Sequence, residues 1–253
     1  MLNEHLEPLS KAVSVFVSDE YHFNTDTILL AHFSLPRRGE RCADLGTGCG
    51  AIPLLWMTRT RPESVCALEL QPRACELARR SVLRGGFGGV ITVREMDVRE
   101  VPKAAKRDPL LHHLDLVACN PPYKAAGAGS ASPRAFRRIA RSEAECALAD
   151  IARAGAAALR FGGRFCLCQR PERLCEVLLQ LKAHGLEPKR LRFVQQRPGA
   201  APGLFLVQAR RGGRPGGLAV EPPLLIEDGC GNFSREMTEI YGEYREGCAC
   251  PEN

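Results

Sequence analysis

The chain has 253 residues, of which 45% are hydrophobic and 25% charged; this is ordinary globular usage, which excludes wholesale disorder. No apolar run approaches the ~20 residues that a membrane-spanning helix needs, and Glu4, Glu7 and Asp19 stand where an export signal would be cationic and then apolar, so a cytoplasmic location is expected. The net charge of +6 divides unevenly, +9 from Arg160 to Arg214 and −6 from Glu221 to Asn253; polyanion binding and a solvated surface are equal readings of that basic zone.

Residues 1–35 read as an N-terminal extension that packs on the main domain, 36–241, and 242–253 as a flexible tail. From residue 41 onward short apolar runs alternate with helical stretches, the pattern of βαβ units and a mostly parallel sheet. Seven strands are expected: Arg41–Leu45, Val65–Glu69, Val90–Glu95, Leu114–Cys119, Arg164–Gln169, Leu191–Gln195 and Leu204–Ala209. A first helix opens at Ala51 after a glycine turn, and a second at Pro72, with Ala74, Leu77, Ala78 and Val82 on one face. A third opens on the Ser142/Glu145 capping-box pair and ends at Gly162 and Gly163; a fourth runs from Pro171 to Gly185 and buries Leu174, Leu178 and Leu181. Trp56 belongs in the core. Helices on both faces of the sheet follow. The twelve cysteines contain no Cys-x-x-Cys pair, and Cys42, Cys66, Cys119, Cys166 and Cys168 lie in apolar strand-like runs, so reduced, buried thiols are expected. Cys230, Cys248 and Cys250 fit no standard zinc spacing, and no metal is expected.

Two motifs carry chemistry. The first is Asp44-Leu45-Gly46-Thr47-Gly48-Cys49-Gly50, which joins a strand to a helix and lets the backbone approach a ligand closely. Its spacing is G-x-G-x-G, unlike the dinucleotide fingerprint, and no Gly-Lys-Ser/Thr follows to cradle a triphosphate. Glu69 ends the next strand, where a carboxylate can accept both hydroxyls of a ribose, and Asp97 ends the one after, at an adenine edge. Asp44 can meet the amino group of an amino-acid moiety. Three carboxylates suit a cationic nucleoside without phosphates, since a pyrophosphate would be repelled. The second motif is Asn120-Pro121-Pro122-Tyr123 after a buried strand. An Asn oxygen and a carbonyl fixed by proline give two acceptors for an exocyclic NH₂, with its lone pair left facing an electrophile. Tyr123 offers a flat face for a base drawn out of its stack.

With these motifs the sequence resembles the class I S-adenosylmethionine methyltransferases that modify amino nitrogens. The likeness extends from Tyr21 almost to Tyr241 and includes Phe23–Leu30, Ala51–Leu55, Ile139–Glu143, Arg170–Leu174, Leu186–Arg190 and Gly217–Leu225. The whole is similar to the tRNA(Val) adenine-N6 methyltransferase family, which methylates the adenosine beside the anticodon. It departs at Cys49, where Asn is commoner, and across Gly127–Ser130. The resemblance implies a Rossmann-like α/β fold with a seven-stranded, mostly parallel sheet, S-adenosylmethionine as cofactor, and tRNA as substrate. It involves no membrane and no obligatory protein partner. It places Gly46, Thr47, Gly48 and Gly50 at the methionine part of the cofactor, with Asp44 at its amino group. Glu69 and Leu70 fall at the ribose, Asp97 and Val98 at the adenine, and Thr25 and Asp26 over the cofactor from the N-terminal extension. Asn120, also in reach of the cofactor, and the Pro121 carbonyl grip the target amine, while Tyr123 stacks on the base. Arg134, Arg137, Arg138, Arg141, Arg170 and Arg173 fall on the ligand side of such a sheet and are assigned to tRNA phosphates. Glutamine of a release factor or guanine N2 of ribosomal RNA presents the same NH₂ geometry, and a non-catalytic RNA-binding protein on this fold is the other class of reading.

Overall fold

A computed structural model describes residues 3–121 and 148–242. An antiparallel hairpin, β1 (Glu4–Pro8) and β2 (Ser14–Ser18), leads into α1 (Thr25–Phe33), β3 (Arg41–Leu45), α2 (Ala51–Arg59), β4 (Ser64–Glu69), α3 (Pro72–Arg84) and β5 (Ile91–Glu95). A short α4 (Val101–Ala104), β6 (Leu114–Cys119), α5 (Leu148–Ala158), β7 (Leu159–Gln169) and α6 (Leu174–Ala183) follow, then β8 (Leu186–Gln195), β9 (Pro202–Arg211), β10 (Ala219–Leu225) and α7 (Arg235–Tyr241). Strands β3, β4 and β6 are buried on both faces, which is why they read as continuous apolar runs rather than alternating ones. Leu29, Leu30, Leu54 and Trp56 fill one side of the sheet; Leu111, Ile151, Phe165 and Leu181 fill the other. The Trp56 indole donates to the Ala31 carbonyl at 3.2 Å, so even the largest core side chain has its polar atom matched.

The sheet order is β10-β8-β9-β7-β6-β3-β4-β5, parallel except where β9 runs antiparallel between β7 and β8. It has eight strands, one more than expected. The eighth is β10, parallel to β8 at the edge. Pro222 and Pro223 hide it from a strand reading, yet an edge strand tolerates residues that donate no hydrogen bond. The helix before β7 stops at Ala158, so Gly162 and Gly163 lie inside the strand, where the β6–β7 register shifts. Strand β8 likewise starts at Leu186, not Leu191, because β9 pairs with it from Leu186 onward. The hairpin packs against α3: Ser81 Oγ accepts from the Phe16 amide at 2.8 Å, and the Arg80 guanidinium lies 4.1 Å from the Phe16 ring centroid.

The topology reverses beside β3. From β3 the chain moves outward through β4 and β5, then returns to lay β6 on the opposite flank. In an open parallel sheet that reversal leaves a crevice beyond the strand ends, the place where ligands bind. Leu45 is in register with Leu68 of β4 and with Cys119 of β6. The next residues are Gly46, Glu69 and Asn120, so three positions distant in sequence fall at neighbouring strand ends. Cys119 is in register with Leu167, which puts Cys168 beside Asn120.

The acidic C-terminal segment lies on the basic zone. Arg190 pairs with Glu221 at 2.6 Å, the Arg192 guanidinium forks onto Glu236 at 2.5 and 2.7 Å, and Gln196 donates to Glu227 at 2.6 Å. Arg59 caps the end of α7 through the carbonyls of Glu239 and Ile240. Much of the +9 stretch is therefore matched within the fold. The buried cysteines, Cys42, Cys49, Cys66, Cys75, Cys119, Cys166 and Cys168, are free thiols, and burial pushes Cys49, Cys66 and Cys166 up to about 12, so they stay protonated and unreactive.

Candidate functional site

The glycine turn starts where β3 ends. The Gly46 and Thr47 amides donate to the Leu68 carbonyl at 2.9 and 2.8 Å, and the Gly50 amide closes the turn on the Thr47 carbonyl. Gly50 has φ +88°, and a Cβ there would stand 3.2 Å from the Ala78 Cβ, so a side chain at this position would strain the turn and crowd α2 against α3. The Gly48 amide points the other way, donating to Glu69 Oε2 at 2.8 Å.

Asp44 lies beneath this turn and is fully buried. Both of its carboxylate oxygens and the neighbouring Thr47 hydroxyl lack a hydrogen-bond partner. Burial raises the Asp44 carboxyl to about 7, with the Glu69 charge adding to the shift and the Thr47 hydroxyl, near the carboxylate but beyond hydrogen-bond geometry, opposing it. Unsatisfied buried carboxylate oxygens are rare and expensive, and they mark a place prepared for a donor that the chain does not supply.

Glu69 is held differently. Its Oε1 accepts from the Leu70 and Gln71 amides, each at 2.9 Å, while Oε2 takes Gly48. Three of roughly four lone-pair sites are engaged, which fixes the carboxylate firmly but leaves less room for two ribose hydroxyls than the sequence alone implies. Leu70 is 39% exposed, an apolar face beside that carboxylate. Asp97 caps the 3₁₀ turn Val98–Glu100 and forks with Arg99, which holds its carboxyl below the usual range. Val98 packs partly into the core. A contact from Asp97 to an adenine edge therefore competes with Arg99.

Asn120 stands one residue beyond β6, next to Gly46, followed by buried Pro121. Its Nδ2 donates to Thr27 Oγ1 at 3.0 Å, and its Oδ1 accepts from the Cys168 thiol at 3.1 Å. Thr27 belongs to α1, which Asn24 caps by accepting from the Thr27 amide and hydroxyl, both at 3.1 Å. Asn24, Thr27 and Cys168 were not expected as site residues; Asn24 and Thr27 fall in the Phe23–Leu30 stretch of the resemblance with no role of their own, and Cys168 reads as a buried apolar residue. Thr25 and Asp26 lie in the same helical turn. Thr25 Oγ1 is 2.9 Å from the Tyr241 hydroxyl, and Asp26 is 3.9 Å from the Arg170 guanidinium.

The structure thus gathers Asp44, Gly46, Thr47, Gly48, Gly50, Glu69, Leu70, Asn120 and Pro121 at adjoining strand ends, with Asp97 and Val98 at the next. Arg170 also donates to the Gly203 carbonyl at 2.7 Å, and Arg173, the residue before α6, is forked onto Glu176 at 2.9 Å on both arms, so its charge is matched by the first turn of that helix. Tyr123, Arg134, Arg137, Arg138 and Arg141 lie outside the described residues. Among the described residues no helix is long and apolar enough to cross a membrane.

The donor set fits S-adenosylmethionine: an unpartnered buried carboxylate and hydroxyl suit an α-ammonium and carboxylate group, and the fixed Glu69 suits a ribose hydroxyl. Comparison with known proteins points the same way. The sequence model for the methyltransferase small domain matches residues 8–180. A protein of Tolumonas auensis named tRNA1(Val) (adenine(37)-N6)-methyltransferase is 28% identical over 87% of this chain and 88% of its own. One of that name from Porphyromonas gingivalis is 26% identical over 79% and 78%. Another, from Glaesserella parasuis, is 33% identical across a match that spans only 40% of either chain. Among solved structures, a protein of Agrobacterium tumefaciens described as a predicted O-methyltransferase superposes with a TM-score of 0.70 at 26% identity, covering 87% of this chain and 97% of that one.

Proposed function

The chain belongs to the methyltransferase small-domain family of S-adenosylmethionine-dependent enzymes, and from that premise we propose that it methylates the exocyclic N6 amine of an adenosine in tRNA, the one beside the anticodon of valine tRNA. The observation that carries the reading is the register that sets Asn120 beside a turn with an unpartnered buried carboxylate, Asp44. The names of the Tolumonas and Porphyromonas relatives support the choice of adenosine and of tRNA.

When bound, S-adenosylmethionine supplies a methyl group on a sulfonium, already a strong electrophile. Asp44 and Thr47 hold the amino-acid end, the glycine turn lies against it, and Glu69 fixes the ribose. Thr25 and Asp26 close over it from α1. Asn120 Oδ1 and the Pro121 carbonyl accept the two N–H groups of the target amine, so its nitrogen faces the methyl carbon in line. Alignment of this kind supplies several kcal/mol of the barrier without a protein nucleophile or metal. The proton shed by the methylated nitrogen passes to solvent. Tyr123 stacks on the base. Arg170, with Arg134, Arg137, Arg138 and Arg141, contacts tRNA phosphates; Arg173 contributes only where RNA displaces Glu176. The enzyme acts in the cytoplasm and needs no protein partner.

The test is methylation of total RNA with labelled cofactor, followed by nucleoside analysis. N6-methyladenosine in the tRNA fraction is expected, and Asn120→Ala should lower turnover at least 100-fold, as for loss of an aligning group, with cofactor affinity nearly unchanged. Label in guanine N2 or in protein glutamine would replace the acceptor assigned here, and full activity of Asn120→Ala would remove the clamp.

A further inference from the structure

The Asn120 amide can sit in its socket in two ways, and only one of them serves catalysis. With Oδ1 toward the acceptor it receives an N–H; rotated by half a turn it would present NH₂ to NH₂, donor against donor. Thr27 and Cys168 do not by themselves decide between these states. A threonine hydroxyl either accepts or donates, and a thiol does the same weakly. Rotation would exchange Thr27 accepting for Thr27 donating and Cys168 donating for Cys168 accepting, with both of these bonds remade.

Asn24 breaks the tie. The Thr27 backbone N–H can only donate, so the Asn24 atom that it meets at 3.1 Å is the amide oxygen. That same oxygen lies 3.1 Å from Thr27 Oγ1, and an amide oxygen can only accept, so the hydroxyl hydrogen is committed to Asn24. Only lone pairs of Thr27 Oγ1 then face Asn120, and the atom at 3.0 Å must be Nδ2. Oδ1 is left on the side of Cys168, at the strand ends that border the crevice. One backbone N–H at the start of α1 thus sets the direction of an amide 93 residues further along the chain. Thr27 is buried, which shields the middle link from water.

We propose that Asn24 and Thr27 are positioning residues, a hydrogen-bonded relay that locks the Asn120 amide with its oxygen toward the acceptor amine. The proposal rests on Asn120 gripping that amine, and it deepens that reading by assigning orientation to the N-terminal helix. Thr27→Val keeps the shape and loses the hydroxyl. Its kcat should fall about tenfold, the value of one buried hydrogen bond, while cofactor Kd by calorimetry stays near wild type and the melting temperature drops by only about 2–4 °C, leaving the enzyme folded in the assay. Thr27→Ser should restore kcat. Asn24→Ala should lower kcat severalfold, whereas Asn24→Asp, which keeps an acceptor oxygen, should not. Thr27→Val should cost nothing further in an Asn120→Ala background.

A Thr27→Val enzyme with wild-type kcat, beside an inactive Asn120→Ala, overturns the relay and leaves the proposed function standing. If Thr27→Val does not fold, equal rates for Asn24→Ala and Asn24→Asp overturn it. Wild-type transfer by Asn120→Ala removes the clamp itself, and the relay falls with it.

Discussion

Two clusters of charge in this molecule look alike in sequence and are built on opposite terms. At the strap that closes the C-terminus, Arg190, Arg192 and Gln196 of β8 and its following turn each meet an acidic partner, Glu221, Glu236 and Glu227. At the crevice above β3, Asp44 is fully buried with neither carboxylate oxygen matched. A satisfied cluster needs no explanation beyond folding. An unsatisfied buried carboxylate costs a few kcal/mol, so a fold retains it only where something outside the chain completes it. For carboxylates, completeness of hydrogen bonding rather than density of charge separates the site from the strap; the unmatched atom beside the strap, His32 Nδ1, is a ring nitrogen whose burial favours the uncharged form.

The strongest way to break this contrast is Asp44→Asn, for which two effects of opposite sign are expected. Cofactor affinity should fall about 10- to 100-fold, since a charged hydrogen bond is worth about 1.5–3 kcal/mol, while the empty protein becomes more stable near pH 8. The carboxyl is raised from 3.8 to about 7. An acid raised on folding stabilises the native state fully below its unfolded value and loses that contribution as pH rises to the folded one, so wild-type stability should decline between about pH 4 and 7. The variant should lack that slope. Binding an ammonium beside Asp44 favours its ionised form, so wild type should release protons on binding at pH 6.5, seen as a calorimetric heat that depends on buffer. Equal affinity and equal proton release in both proteins would sink the assignment of Asp44.

How far the sequence carries this site depends on whether the signal is local. Asp44, Glu69 and Asn120 stand out because each closes an apolar run, and Asp97 because it falls just past the following strand; the parallel register then brings these strand ends together. The partners of Asn120 carry no such signal: Thr27 lies 93 residues away in a helix whose sequence speaks only of capping and burial. The engagement of Asp97 by Arg99 and of Arg173 by Glu176 is equally invisible, because rotamers choose between partners that spacing merely permits. The fold was legible for the central strands, whose apolar runs are long and bounded by turns. It was misread at β10, where an edge position overrides the prolines, and at the N-terminal hairpin, whose short strands Glu4–Pro8 and Ser14–Ser18 gain their stability from α3 rather than from their own pattern.

A smaller effect tests whether the turn is rigid backbone rather than a loop that likes glycine. Gly50→Ala must hold a side chain at φ +88° and place a Cβ 3.2 Å from Ala78. A left-handed residue costs about 1–2 kcal/mol, which for a chain of this size lowers the melting temperature by about 3–6 °C. Gly46→Ala, with a similar φ but open space around its Cβ, should lose only the backbone part. If the two substitutions melt alike, the close approach of α2 to α3 contributes nothing.

The smallest expected effect belongs to the strap and probes the other half of the contrast. Arg192 is largely buried and Glu236 is 40% exposed, so their bidentate pair lies at the upper end for a surface ion pair, about 1 kcal/mol in a double-mutant cycle of Arg192→Ala with Glu236→Ala. Arg192 holds the Glu236 carboxyl below its ordinary value of 4.5. An acid lowered on folding contributes fully above its unfolded value of 4.5 and loses that contribution as pH falls through the folded one, so the coupling should be intact at pH 7 and fade as pH falls below 4.5. Neither cofactor affinity nor RNA affinity should change with Arg192→Ala. A loss of RNA binding with a lower salt dependence would mean that β8 reaches phosphates after all, and that the acidic segment lies there as a competitor rather than as part of the scaffold.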